Sequence, residues 1–261
     1  LLDTRDRLIN ELNQLTRVST TTDSTGAMSV FIGTGQPLVV GTVATKLEAQ
    51  ASPSDPTRNV VNIITQSGTP ITIPESLLGG GKLGGLLAMR SGSLDTAQNQ
   101  LGLIAVGLSS AFNSQHLLGQ DLNGNLGTNF FTNTTVAVQR YNNATTASPD
   151  VQFSDITKLS GDDYKLTFTD TTGGYSLTRV SDGASVTAAS VGLTITPPAT
   201  SKVGDSFQIL PTRYASANIG VALSDTRMIA AAAPLTSAST ASNLGTATIS
   251  APVMSNTASL A

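Results

Sequence analysis
The residues that could carry chemistry are few and poorly matched to one another. His116 is the only histidine, and cysteine is absent. A metal centre or a Ser-His-Asp triad would rest on that one imidazole, which ends a helical stretch and reads as a capping or surface side chain. Asp121-Leu122-Asn123-Gly124-Asn125 has the oxygen-rich look of a calcium loop. Its glycine is not at the sixth position, however, and the twelfth is Thr132 where a bidentate Glu belongs. A turn built by Asx side chains is the better reading, with calcium the one ion worth testing. Asp162 and Asp163 are adjacent at a strand entry, so their carboxylates point to opposite faces and form no catalytic pair. In Gly79-Gly80-Gly81-Lys82 the lysine is followed by Leu83, without the Gly-Lys-Ser/Thr ending of a phosphate loop, and the run reads as a flexible return loop. No catalytic residue, cofactor ligand or metal ligand is assigned, and the expectation is a protein that is not an enzyme.

Composition narrows the classes further. The chain has 261 residues, charged residues at 12% and a formal net charge of −3. Lys and Arg are scattered, which argues against a nucleic-acid partner, and no apolar run of 18 residues exists to span a membrane. Lack of cysteine removes disulfides, thiolate nucleophiles and structural zinc together. Aromatics are 4% and tryptophan is missing, so stacking platforms are scarce.

The elements that would position any site begin with Leu83 to His116, which reads as one long helix. Leu87, Leu94, Leu101 and Leu108 recur every seven residues, with Ala97, Ile104, Ala105, Ala111 and Phe112 beside them. That period suits a bundle or supercoil. Between Asp95 and Asp121 no side chain other than His116 can carry charge, and Leu103 and Val106 lie opposite the leucine stripe. The helix therefore calls for at least two packing partners, and Leu103 and Val106 mark the face expected to lack one in an isolated piece. Leu1, Leu8, Leu12 and Leu15 make a second stripe on a short amphipathic helix. Because Leu1 is already in helical register, the chain is expected to be an excised piece. The two leucine stripes are expected to pack antiparallel.

Residues from about 18 to 74 read as β structure. Met28, Val30 and Ile32 face Leu38-Val39-Val40 across Gly33-Thr34-Gly35, Asn59 to Thr65 pairs with Ile71 to Ile73, and Ser52-Pro53-Ser54-Asp55-Pro56 marks a turn. A second β region runs from about Phe130 to Pro211, with Tyr164, Leu166 and Phe168 alternating, Tyr175 to Val180 after a glycine turn, then Val191, Leu193, Ile195, Val203 and Phe207 to Leu210. An antiparallel sandwich or small barrel is expected there, and Ser224-Asp225 should cap a short helix through Ala233. The fold class is α+β multidomain. Residues 1–17, 82–118 and about 219–233 make a helical unit, 18–81 an inserted β domain, 119–218 a second β domain, and 234–261 a Ser/Thr/Ala-rich segment.

In sequence order, Asp3-x-Arg5-Asp6-x-Leu8-Ile9-x-x-Leu12, Asp55-Pro56-Thr57-Arg58, Ile71-Thr72-Ile73-Pro74, Gly84-Gly85-Leu86-Leu87 and Arg90-Ser91 resemble the flagellar hook-associated protein 1 family. Ala111-Phe112-Asn113 with Gln115-His116, Gly119-x-Asp121-x-Asn123-Gly124 through Phe130-Phe131, Asp163-Tyr164-Lys165-Leu166 and Gly204-Asp205-Ser206-Phe207 to Pro211 continue the similarity across residues 1–233. The segment from Leu235 has no counterpart. The resemblance implies a structural axial protein of the bacterial flagellum, placed extracellularly by type III export, with a flagellin-like helical shaft and projecting β domains. It implies as partners other copies of the chain, neighbouring axial proteins on the hook and filament sides, and an export chaperone for the full-length chain. Helix packing and assembly would then fall to Leu8, Leu12, Leu15, Leu87, Leu94, Leu101, Leu103, Ile104, Val106, Leu108 and Phe112. An extracellular adhesin or phage-tail-like β module would share the Cys-free, Ser/Thr-rich composition but would not need the uncharged heptad helix.

Overall fold
The computed structural model describes residues 2–52, 55, 57–141, 147–235, 237–238, 240, 242, 244–246, 248–250 and 252–256. Leu1 and Pro53, Ser54 and Pro56 of the expected turn lie outside them.

Helix α1 (Leu2–Leu15) has no fully buried residue. Its Leu12 packs with Leu83 and Leu87 of α2 (Gly81–Met89) against Ile32, Ile73 and Leu78. The end of α1 meets the start of α2, and it is there that residues of the two leucine stripes come together. The glycine run between them is a close-packed turn rather than a flexible loop. Gly81 sits at φ +61, and a Cβ there would lie 2.6 Å from the Leu15 carbonyl carbon.

Two antiparallel meanders follow α1. The first has strand order β1 (Val18–Thr22), β2 (Met28–Ile32), β3 (Gln36–Val40) and β4 (Val43–Ala44), with the β2–β3 hairpin turning at Gly33 to Gly35 as its spacing predicts. The second runs β5 (Lys46–Ala51), β6 (Asn59–Ile64), β7 (Pro70–Thr72). Turn chemistry is local: the Asp23 carboxylate accepts the amides of Thr25 and Ala27, and Asp170 does the same for Thr172 and Gly174.

The long helix is real but not uniform. After α2, Arg90–Leu94 forms a π turn, and α3 (Asp95–His116) continues from it. Beyond α3 lies the largest core. A five-stranded antiparallel sheet contains β8 (Ala137–Arg140), β10 (Tyr164–Phe168), β11 (Tyr175–Arg179), β12 (Ser185–Val186) and β14 (Ser206–Leu210), in the order β12-β11-β10-β14-β8. The ribbon of β9 (Asp150–Phe153) with β13 (Leu193–Thr196) joins it. Alternate residues Tyr164, Leu166 and Phe168 meet Phe207, Ile209, Leu177, Val151 and Leu193 in one apolar cluster, as a small sandwich requires. Val203, read as part of this pattern, lies instead in an exposed turn.

After β14 a single turn, α4 (Ala215–Asn218), packs on α3. The helix expected from Ser224 to Ala233 is not formed. Asp225 does cap, accepting the Arg227 amide, but only one 3-10 turn (Thr226–Met228) results. The chain then extends so that Ala232 bridges to Gln120, because backbone pairing with the 120s competes successfully with an Ala-rich helix of marginal length.

Candidate interaction site along the central helix
Helix α3 presents two faces, and the one that packs is the polar one. Asp95, Asn99, Gly102, Val106, Ser109, Asn113 and His116 are all buried. Their spacing alternates four and three residues, a heptad stripe of its own. Leu94, Leu101, Ile104, Leu108 and Phe112 are exposed, Leu101 by 59%. This reverses the sequence expectation in both directions. From Leu94 onward the leucine stripe is left exposed in this chain, and the face with Leu103 and Val106 has its partner: Val106 is 1% exposed against Ala215, with Leu103 half-buried. On α1, Leu8 and Leu15 are exposed and Leu12 half-buried, while Leu87 is half-buried in the α2 cluster.

Small side chains explain the reversal. Gly102 lets the helix approach the bend after β14 so closely that a Cβ would lie 1.7 Å from the Thr212 carbonyl oxygen. Polar residues beside it find fixed partners there, which a leucine could not use. Asn113 donates to the Phe131 carbonyl and accepts the Phe131 amide through its side chain. His116, 5% exposed rather than a surface cap, lies between the Thr128 carbonyl and the Ala230 amide. Nε2 accepts from Ala230, so Nδ1 carries the proton donated to Thr128.

At the start of α3 these contacts become ionic. Arg58 donates to both Asp95 oxygens, at 2.8 Å to Oδ2, and lies 3.0 Å from Asp55 Oδ2. Arg213 reaches Asp95 Oδ2 at 3.2 Å and pairs with Asp163. Asn99 donates to Asp163 Oδ1 at 3.2 Å and accepts from Arg213, while Tyr214 donates to Asp55 Oδ2 at 3.0 Å. Three carboxylates thus meet two guanidiniums in a largely buried cluster. Burial outweighs the Arg213 charge and the Asn99 hydrogen bond at Asp163 and pushes its carboxyl up to about 6. Asp55 feels burial too, but hydrogen bonds from Thr57 and Tyr214 and the Arg58 charge hold it below the usual carboxylate range. The hydrogen bonds Arg58 donates to Asp95 raise its guanidinium despite burial.

None of these groups was assigned from sequence. Asp162 and Asp163 precede β10 and take different partners, Arg179 and Arg213, a use that was invisible without the partners. The four-three spacing from Asp95 to His116 was the available signal. In the Asp121 loop the carboxylate accepts the amides of Asn123 and Asn125, the Asx turn expected there. Among the described residues no three His, Cys, Asp or Glu side chains come together as a metal site, and no helix is long and apolar enough to cross a membrane.

A long helix packed through its polar face and flanked by antiparallel β units, with leucines left exposed along its other side, defines an α+β fold. Residues 1–131 match the family described as the helical domain of flagellar hook-associated protein FlgK, and residues 138–211 match the D2-like domain of flagellar hook-associated protein 1. Flagellar hook-associated protein 1 of Salmonella typhimurium is 36% identical over 242 residues, covering 89% of this chain and 43% of that protein. The Escherichia coli protein of that name is 35% identical over 241 residues, covering 89% and 44%. The solved flagellar hook junction protein FlgK from Burkholderia pseudomallei superposes with a TM-score of 0.77 at 38% identity, over 88% of this chain and 44% of that one. The chain belongs to the flagellar hook-associated protein 1 family, and it spans less than half the length of these relatives.

Proposed function
We propose that this chain is part of an axial structural protein of the bacterial flagellum that joins hook to filament through subunit contacts. The observation that carries the reading is the apolar stripe of Leu94, Leu101, Ile104, Leu108 and Phe112, exposed on the helix that matches the family's helical domain. An uncharged stripe of this length is costly to leave in water, and subunit packing in a larger assembly supplies the cover. The relatives' names supply the place, at the hook junction. Residues 1–17, 82–118 and about 219–233 would form the shaft-side unit, with 18–81 and 119–218 as β domains projecting from it. Partners are other copies of the chain and the axial proteins on the hook and filament sides. The full-length chain would be exported to the extracellular flagellum with a chaperone.

The test is Leu101→Gln with Leu108→Gln in the full-length protein, expressed in a strain lacking its own copy. The full-length variant should leave hooks without filaments and cells non-motile, while residues 1–261 carrying the same two changes should melt close to the parent, because both side chains are more than half exposed there. Wild-type swimming with filaments in place would refute the reading.

A further inference from the structure
The leucines of the long helix keep a seven-residue spacing straight through Leu87, Leu94, Leu101 and Leu108, but the structure does not keep them on one side. Leu83 and Leu87 turn toward Ile32, Ile73 and Leu78, whereas Leu94, Leu101 and Leu108 face outward. The cause is the π turn Arg90–Leu94, which holds one residue more than an α turn. That extra residue rotates α3 relative to α2 by roughly 100°, the turn of one helical residue. In an unbroken helix Leu87 and Leu94 would share a stripe to within about 20°.

We infer that the π turn is a torsional joint between the α2 and α3 ends of the chain, latched at its present setting by the polar contacts of Asp55 and Arg58 with Tyr214 and Asp95. On the α2 side, the first residue of the turn is fixed by Arg90, which bonds Glu75 and the Asn59 carbonyl. On the α3 side, Asp95 is fixed by Arg213 of the second β unit. Arg58 to Asp95 and Tyr214 to Asp55 cross the joint. The turn itself is made of weak helix formers: Ser91, Gly92 and Ser93 are exposed, and a Cβ on Gly92 would meet open space. Ser91 also donates to the Leu87 carbonyl at 3.0 Å, a back-bond that bends helices.

Two settings therefore compete. The π setting keeps the crossing contacts; the α setting loses them but completes the backbone ladder and brings Leu87 into line with Leu94, Leu101 and Leu108. Which one prevails is decided by the latch.

Cysteine is absent from the sequence, so spin labels can be placed at Ser24→Cys in the first meander and Lys202→Cys in the loop before β14 of the five-stranded sheet, both exposed. Pulsed dipolar measurement should give one narrow distance in the parent. Arg58→Met with Tyr214→Phe should add a second population well resolved from the first, as a rotation of roughly 100° requires. Ser91→Ala, Gly92→Ala and Ser93→Ala together, which leave the latch intact and favour a regular helix, should populate that same second distance. An unchanged single distance in both variants, each folded by circular dichroism, would overturn the joint; a second distance in either supports it.

Discussion
Asp163 is the residue whose chemistry depends most on its surroundings. With all three carboxylates ionised, the cluster of Asp55, Asp95, Asp163, Arg58 and Arg213 holds one negative charge too many for a buried site. A proton on Asp163 balances it. Its folded value of about 6 lies above the roughly 3.9 of an unfolded Asp, so between those limits the folded state binds the extra proton. Stability from this group is then lost as pH rises through 6 and regained as pH falls toward 4. Urea titrations should show stability rising by on the order of 1–3 kcal/mol from pH 7 to pH 4.5. Asp55, held low, works the other way, but only below the usual carboxylate range. Asp163→Asn should remove the rise and cost little at pH 7, since two carboxylates still meet two guanidiniums. Stability that is flat over this range in the parent would mean that Arg213 compensates Asp163 fully.

At the scale of the element, α3 inverts the usual amphipathic rule. Its leucines contribute little to the fold of this chain, while Asn99, Asn113, Gly102 and the buried Val106 hold it in place. Asn99→Ala should destabilise by about 1–3 kcal/mol, because it strips a partner from both Asp163 and Arg213. Gly102→Ala should cost a similar amount or more, since the clash with the Thr212 carbonyl outweighs a helix-propensity gain of about 1 kcal/mol. Leu101→Ala should fall within roughly 0.5 kcal/mol of the parent. Thermal denaturation of the three variants ranks them directly, and a Leu101 loss larger than that of Asn99 would restore the leucine stripe as the packing face.

For the whole molecule, the consequence of that inversion is a bare stripe that calls for company. A strip of five large side chains on one helix presents less than the roughly 800 Å² per partner of a stable interface, so the chain should be monomeric in dilute solution. Weak association should appear at high concentration in light scattering and disappear with Leu101→Gln and Leu108→Gln; a tight oligomer of that variant would place the contact on the β units. The sequence by itself determined the elements governed by short-range physics. The β2–β3 and β6–β7 hairpins, the alternation of Tyr164, Leu166 and Phe168, the Asx turn at Asp121 and the helical stretch through His116 are all written in turn chemistry and periodicity, and the order of short motifs marked the family. Tertiary structure alone decided which side of that helix is inside. Arg58 and Arg213 stand far from Asp95 in sequence, Gly102 matters only because Thr212 comes within its reach, and one extra residue in the π turn rotates the leucines away from their neighbours. Hydrophobic pattern reports what a face could bury, whereas burial is settled by the partners the rest of the chain brings to it.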